Sequence, residues 1–116
     1  MSISKTAHKN HEELWPDYQS RAKETDPELI EVFDNFAFDE VISHDQMDTK
    51  TRVMVTLCFL IAMGGTESQI KGHILGNVNV GNNRQMLINL MTQLLPYVGY
   101  PRSLNAISCL NEVIPA

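Results

Sequence analysis

Apolar residues recur at helical spacing along most of the chain, and the runs break where cap-forming or turn-forming residues appear. In residues 27–42 (PELIEVFDNFAFDEVI), Leu29, Ile30, Phe33, Phe36 and Ala37 follow the i, i+3, i+4 spacing of one buried stripe. Asp26 is placed to cap this helix, Pro27 suits its first position, and Glu28 complements the helix dipole. Asp48 caps a third helix that runs to Met63 and is stopped by Gly64-Gly65. Beyond Arg52 this helix (residues 53–63, VMVTLCFLIAM) is apolar on every side. Such a helix must be covered all round, which a small helical domain can barely do alone. The pattern therefore predicts an oligomer with this helix near a subunit contact.

A fourth helix is predicted from Glu67 to about Val78, opened by a capping box between Thr66 and Gln69. Asn82 and Gln85 repeat that spacing and open a fifth helix to about Tyr97. Its inward face is Met86, Leu87, Leu90, Met91, Leu94 and Leu95, and Pro96 bends or ends it. Pro101 starts a last helix to about Val113. Upstream, residues 11–23 read as a helix interrupted at Pro16. No segment alternates convincingly as a strand, although residues 78–80 are short and β-branched. The expectation is an all-α protein, a single domain over residues 1–116, with a polar helical segment at 1–25.

Composition narrows the function classes. With 116 residues and 43% apolar side chains the chain can bury a core, which excludes disorder. A formal net charge of −5 argues against nucleic-acid and anionic-membrane partners, because both require a basic face. The longest apolar run is too short for the roughly 20 residues of a spanning helix, and the polar amino terminus lacks the apolar core of a secretory signal. Cys58 and Cys109 are isolated thiols with no C-x-x-C between them, so a reducing, cytoplasmic location is expected. His8 and His11 sit three apart beside Glu12, but a mobile polar terminus does not fix the further ligands a metal needs, and no metal site is assigned.

Several spaced features carry a resemblance. Asp48 with Arg52, His73, the Asn79-Val80-Gly81 turn, and Tyr97-x-Gly99-x-Pro101 followed by Asn105-Ala106 occur in the order seen in the carboxymuconolactone decarboxylase family, which includes the alkyl hydroperoxidase D-like proteins. The resemblance spans about residues 45–113. It implies an all-helical domain that assembles as a trimer or hexamer. The redox branch of that family resembles C-x-x-C-x-x-x-H with an upstream glutamate relay. Counting back from His73, those positions hold Thr66, Gln69 and Met54. Without a thiolate pair, peroxide reduction by that route is closed. Cys58, one turn beyond Met54, is the remaining redox candidate, and it lacks a resolving partner nearby in sequence.

The decarboxylase branch, which keeps the histidine and needs neither metal nor organic cofactor, resembles the chain better. Its chemistry on a small carboxylated lactone or keto compound assigns Arg52 to the substrate carboxylate and His73 to proton transfer. Gln69 or the Tyr97 hydroxyl would stabilise an enolate oxygen, Glu67 would relay protons, and Asn105 would help close the pocket. Each has a structural alternative: a packing role for His73, an Asp48 pair for Arg52, a cap for Gln69, a dipole role for Glu67, and helix-end burial for Tyr97 and Asn105. A scaffold that binds small molecules without chemistry is the third reading.

Overall fold

The computed structural model describes residues 2–116, and they are all-helical, arranged as two compact units that divide between Met47 and Asp48. The first unit begins with α1 (Lys5–Leu14). It starts six residues earlier than the sequence pattern indicates, because Ser4 caps it. The Ser4 Oγ accepts from the Ala7 N–H at 3.0 Å and donates to the Asp39 carboxylate at 2.7 Å. The helix ends at Leu14, so the break expected at Pro16 is present, and the expected continuation to residue 23 does not form. A loop and the short α2 (Ala22–Thr25) lie there instead.

Next comes α3 (Pro27–Asn35), and the Asp26 side chain makes no cap bond to it, since Asp26 accepts from the Thr25 hydroxyl at 2.9 Å. A π-helical turn (Phe36–Glu40) follows, then α4 (Val41–Ser43). A π turn adds a residue to the ladder and rotates what comes after it, which the stripe of the sequence does not foresee. Phe38 is buried, whereas Leu29, Phe33 and Phe36 of the predicted stripe are more than half exposed. The Phe38 carbonyl, within the π turn, accepts from Asn10 Nδ2 at 2.6 Å. Ala7, Leu14 and Phe38 form the small core of this unit, with His11 and Trp15 ringed about Phe38.

The second unit contains α5 (Thr49–Met63), α6 (Glu67–Asn79), α7 (Arg84–Val98) and α8 (Tyr100–Val113). Asp48 caps α5 as expected, accepting from the Thr51 N–H at 2.7 Å. Both glycines after α5 have positive φ, and Gly64 is further restricted because a Cβ there would meet Arg102 Nε at 2.7 Å. Leu57 and Ile61 on α5, Ile70 and Ile74 on α6, Leu87 and Met91 on α7, and Ala106, Cys109 and Leu110 on α8 make one core. Opposite that core, α5 exposes Val55, Phe59 and Met63. On α7, Met86 and Leu95 are exposed too, so the inward face is narrower than predicted. Pro96 is accommodated in the last turn of α7, which continues to Val98, and residues 78–80 complete α6 and its turn without forming a strand.

Neither predicted capping box forms. The Thr66 hydroxyl turns away from α6 and donates to the Leu60 carbonyl at 2.7 Å. Asn83, one residue beyond the predicted cap, accepts from the Met86 N–H at 2.9 Å, while Asn82 is buried. The reason is tertiary. Asn82 Nδ2 donates to the Asn77 Oδ1 at 2.9 Å and to the Lys50 carbonyl at 3.1 Å. Asn77 Nδ2 in turn donates to the carbonyls of Val53 at 3.2 Å and His73 at 2.7 Å.

Asn77 has no solvent exposure, so truncating it removes three hydrogen bonds of a buried side chain at once, those to the Val53 and His73 carbonyls and that from the Asn82 amide. Asn77→Ala is expected to lower unfolding free energy by about 2–4 kcal/mol, read from the urea midpoint at constant slope. A change below about 0.5 kcal/mol would show that the amide network is not structural.

Candidate functional site

The structure divides the expected site residues by exposure. Arg52, Cys58 and His73 are half-buried; Glu67, Gln69, Tyr97 and Asn105 are exposed in the single chain. His73 projects from the second turn of α6, between the core residues Ile70 and Ile74 in sequence, and its own carbonyl is fixed by Asn77. Arg52 lies on α5 immediately before Val53, whose carbonyl shares that Asn77 amide. One NH₂ group therefore holds together the backbone beside Arg52 and the backbone of His73. Thr56 adds a bond from its hydroxyl to the Arg52 carbonyl at 3.2 Å.

Helix geometry places the other α5 candidates differently. At 3.6 residues per turn, Arg52 and Met54 project about 160° apart, on opposite flanks of the buried stripe Val53, Leu57 and Ile61. Cys58 shares the Met54 flank. Glu67 and His73 likewise diverge by about 120° around α6. Glu67 acts electrostatically on the Lys71 ammonium and raises the pKa of the Cys109 thiol, and the Glu67 carbonyl accepts from Cys109 Sγ at 3.8 Å. Lys71 is ion-paired with Glu112 of α8 at 2.6 Å. Glu67 thus belongs to the flank of α6 that faces α8.

Tyr97 is 88% exposed, so within one chain its hydroxyl does not line an enclosed pocket. Gln69 is free of the cap predicted for it, since Thr66 is turned back toward α5. Gly99, with positive φ, joins α7 to α8 and fixes where Tyr97 and Asn105 fall.

Burial sets the electrostatics. Desolvation holds the His73 imidazole below its ordinary pKa of 6.5, so the neutral ring dominates at pH 7. The same effect pushes both thiols up, Cys58 by burial alone among the raising causes and Cys109 by burial first and then by Glu112 and Glu67. Neither is a thiolate at neutral pH. The residues that sequence reasoning missed are Asn77 and Asn82. Asn77 carried a readable signal: a poor helix former at i+7 from Ile70 and i+3 from Ile74, in the middle of an apolar stripe.

The carboxymuconolactone decarboxylase family model matches residues 27–112. The chain belongs to that family. Comparison with curated proteins gave no significant match. The family range includes every site residue discussed above, and it leaves α1 and α2 outside. At the two positions where the family's redox members resemble a cysteine pair, this member has an exposed amide and a hydroxyl already bonded to the Leu60 carbonyl.

Both cysteines should therefore behave as core thiols. In the native protein at pH 7, labelling by a thiol reagent is expected to be slower for both than in urea-unfolded protein by about tenfold or more. Rapid stoichiometric labelling of Cys58 in the folded state would reopen the redox route.

Proposed function

We propose that this family member is a cofactor-independent proton-transfer enzyme or lyase acting on a small carboxylated lactone or keto compound, with His73 as the proton-transferring group. The observation that carries the reading is the half-buried His73, held neutral at pH 7 by desolvation on a helix whose thiol positions are filled by Thr66 and Gln69. The raised pKa values of Cys58 and Cys109 speak against the peroxidase alternative.

As the neutral imidazole, His73 removes the proton α to a substrate carbonyl and leaves an enolate. The resulting imidazolium, made more acidic by the same burial, returns a proton to carbon. In a decarboxylation the enolate forms instead as the bond to the carboxylate breaks and carbon dioxide departs, with the bonding electron pair passing into the enolate. The proton that replaces the lost group comes from solvent and passes to carbon through the minor imidazolium form of His73, which returns to the neutral ring. Arg52 is assigned to the substrate carboxylate, where its planar donors match both oxygens.

Gln69, Tyr97 and Asn105 are exposed in one chain, and we assign them to a pocket wall completed by a neighbouring subunit. Glu67 is assigned as a proton relay from the α8-facing flank of α6, about 120° around the helix from His73. The exposed Val55–Phe59–Met63 face of α5 supports assembly as a homo-oligomer, for which the family resemblance suggests a trimer or hexamer, and the two isolated thiols suit a reducing, cytoplasmic location.

Two measurements test this. Proton NMR in D₂O with 4-carboxymuconolactone and simpler β-keto acids should show α-deuterium uptake or loss of the carboxyl group, reduced about a hundredfold or more by His73→Ala. The pH dependence separates the two half-reactions. Uptake begun by the neutral ring rises with pH through a pKa below 6.5 and is level above pH 7, whereas protonation by the imidazolium falls over the same range. Turnover that survives His73→Ala removes the central residue, and binding without chemical change would leave a non-catalytic scaffold. For the assembly, light scattering after gel filtration should give a mass of three or six chains, and Phe59→Glu should reduce it. A monomer with the wild-type sequence would refute the subunit-completed pocket.

A further inference from the structure

A cavity of about 250 Å³ lies in the first unit, built largely from residues outside the family range. Glu12, Asp17, Lys23 and Asp34 line it together with the rings of His11 and Tyr18. Three carboxyl groups against one ammonium give it a negative lining. The His11 and Tyr18 rings stack at 6.1 Å between centroids, tilted by 19°, and His11 also packs at 5.1 Å from Trp15 and 5.0 Å from Phe38. One wall is therefore aromatic and anchored in the core of the unit, and the rest sets the three carboxyl groups beside Lys23, His8 and uncharged residues such as Ile30 and Ser20. The Asp17 N–H donates to both oxygens of Glu12, at 3.2 and 3.1 Å, with Asp17 at a φ of 62° that non-glycine residues seldom adopt. This bond fixes the Glu12 carboxylate at the cavity.

We infer that this cavity binds a small primary ammonium compound, its charged end seated among Glu12, Asp17 and Asp34 and its carbon chain against the His11–Tyr18 face. The chemistry of the lining favours that class. An anion meets three carboxylates, and among the described residues no group of three His, Cys, Asp or Glu side chains is arranged to hold a metal ion. Asp34 adds a reason for the ammonium to be wanted there. Its carboxyl is pushed above its ordinary value by burial, an effect that the charges of His11 and Lys23 oppose without overcoming. His11 is held below its ordinary value, again chiefly by burial, against the raising influence of Asp34 and Glu12 and with the lowering influence of His8 and Lys23. A bound cation supplies the charge that the buried acid lacks.

The test uses the full-length protein and its single tryptophan, Trp15, as reporter. Putrescine is titrated at pH 7 and physiological salt while Trp15 emission and heat are followed, beside tetramethylammonium, a cation that cannot donate a hydrogen bond. The expected result is a saturable change with putrescine at millimolar concentration or below, weakened about tenfold or more by Asp34→Asn and by Glu12→Gln. Asp34→Asn is near-isosteric and removes only the charge, and circular dichroism confirms its fold. His73→Ala should leave this binding unchanged. No saturation by about 10 mM, affinity unaffected by both carboxamide variants, or equal affinity for tetramethylammonium would each overturn the proposal.

Discussion

A carboxamide sealed inside a helical core must find partners for both its ends, and Asn77 finds them on backbone that the site depends on. Its NH₂ group is shared between α5, at Val53, and its own helix, at His73. Its oxygen accepts from Asn82, which in turn reaches the first turn of α5 at Lys50. Hydrophobic burial is non-directional and would let α5 slide along α6 with little penalty. Three directed bonds to one side chain do not permit that. The relative register of Arg52 and His73 follows from a residue that does no chemistry itself, and the turn between α6 and α7 is fixed by the same network.

Desolvation then decides which chemistry that register can serve. Burial disfavours the charged form of every titratable group, so it moves an imidazole down and a thiol up. At pH 7 both shifts act in the same functional direction. His73 becomes a neutral base whose conjugate acid is ready to give its proton back, while Cys58 and Cys109 are held as unreactive thiols. A redox member of the family would need the opposite environment around sulfur. Here the hydroxyl at one of the two relevant positions is spent on the Leu60 carbonyl, tying the α5–α6 connection instead of attacking a substrate.

The helices of the second unit were legible to within about two residues, because their ends are written in local chemistry: Asp48 before α5, the two glycines after it, and Gly99 with Pro101 between α7 and α8. What was not legible were places where a tertiary partner outbids a local one. Thr66 and Asn82 have the right types and spacing for caps, yet each finds a partner from distant chain, and the cap after Asn82 passes to Asn83. The π turn in the first unit leaves no periodic mark and brings Phe38 inward, while Leu29, Phe33 and Phe36 of the expected stripe are exposed. Of the candidate site, His73 was singled out by the family resemblance, whereas its protonation state depends on burial that only the folded chain supplies.

The exposed positions carry the last step of the synthesis. A helix such as α5, with Val53, Leu57 and Ile61 buried and Val55, Phe59 and Met63 open, spends one face on its own core and leaves a second of similar character in water. That costs solubility unless something covers it. Gln69, Tyr97 and Asn105 are the polar groups proposed above for the substrate, and they too are exposed in one chain. Apolar cover for α5 and a purpose for those polar groups are met together if the substrate lies where two copies join. The alternative requires a chain that exposes a greasy helix and three idle site residues independently, which asks for two unrelated explanations where one interface supplies both.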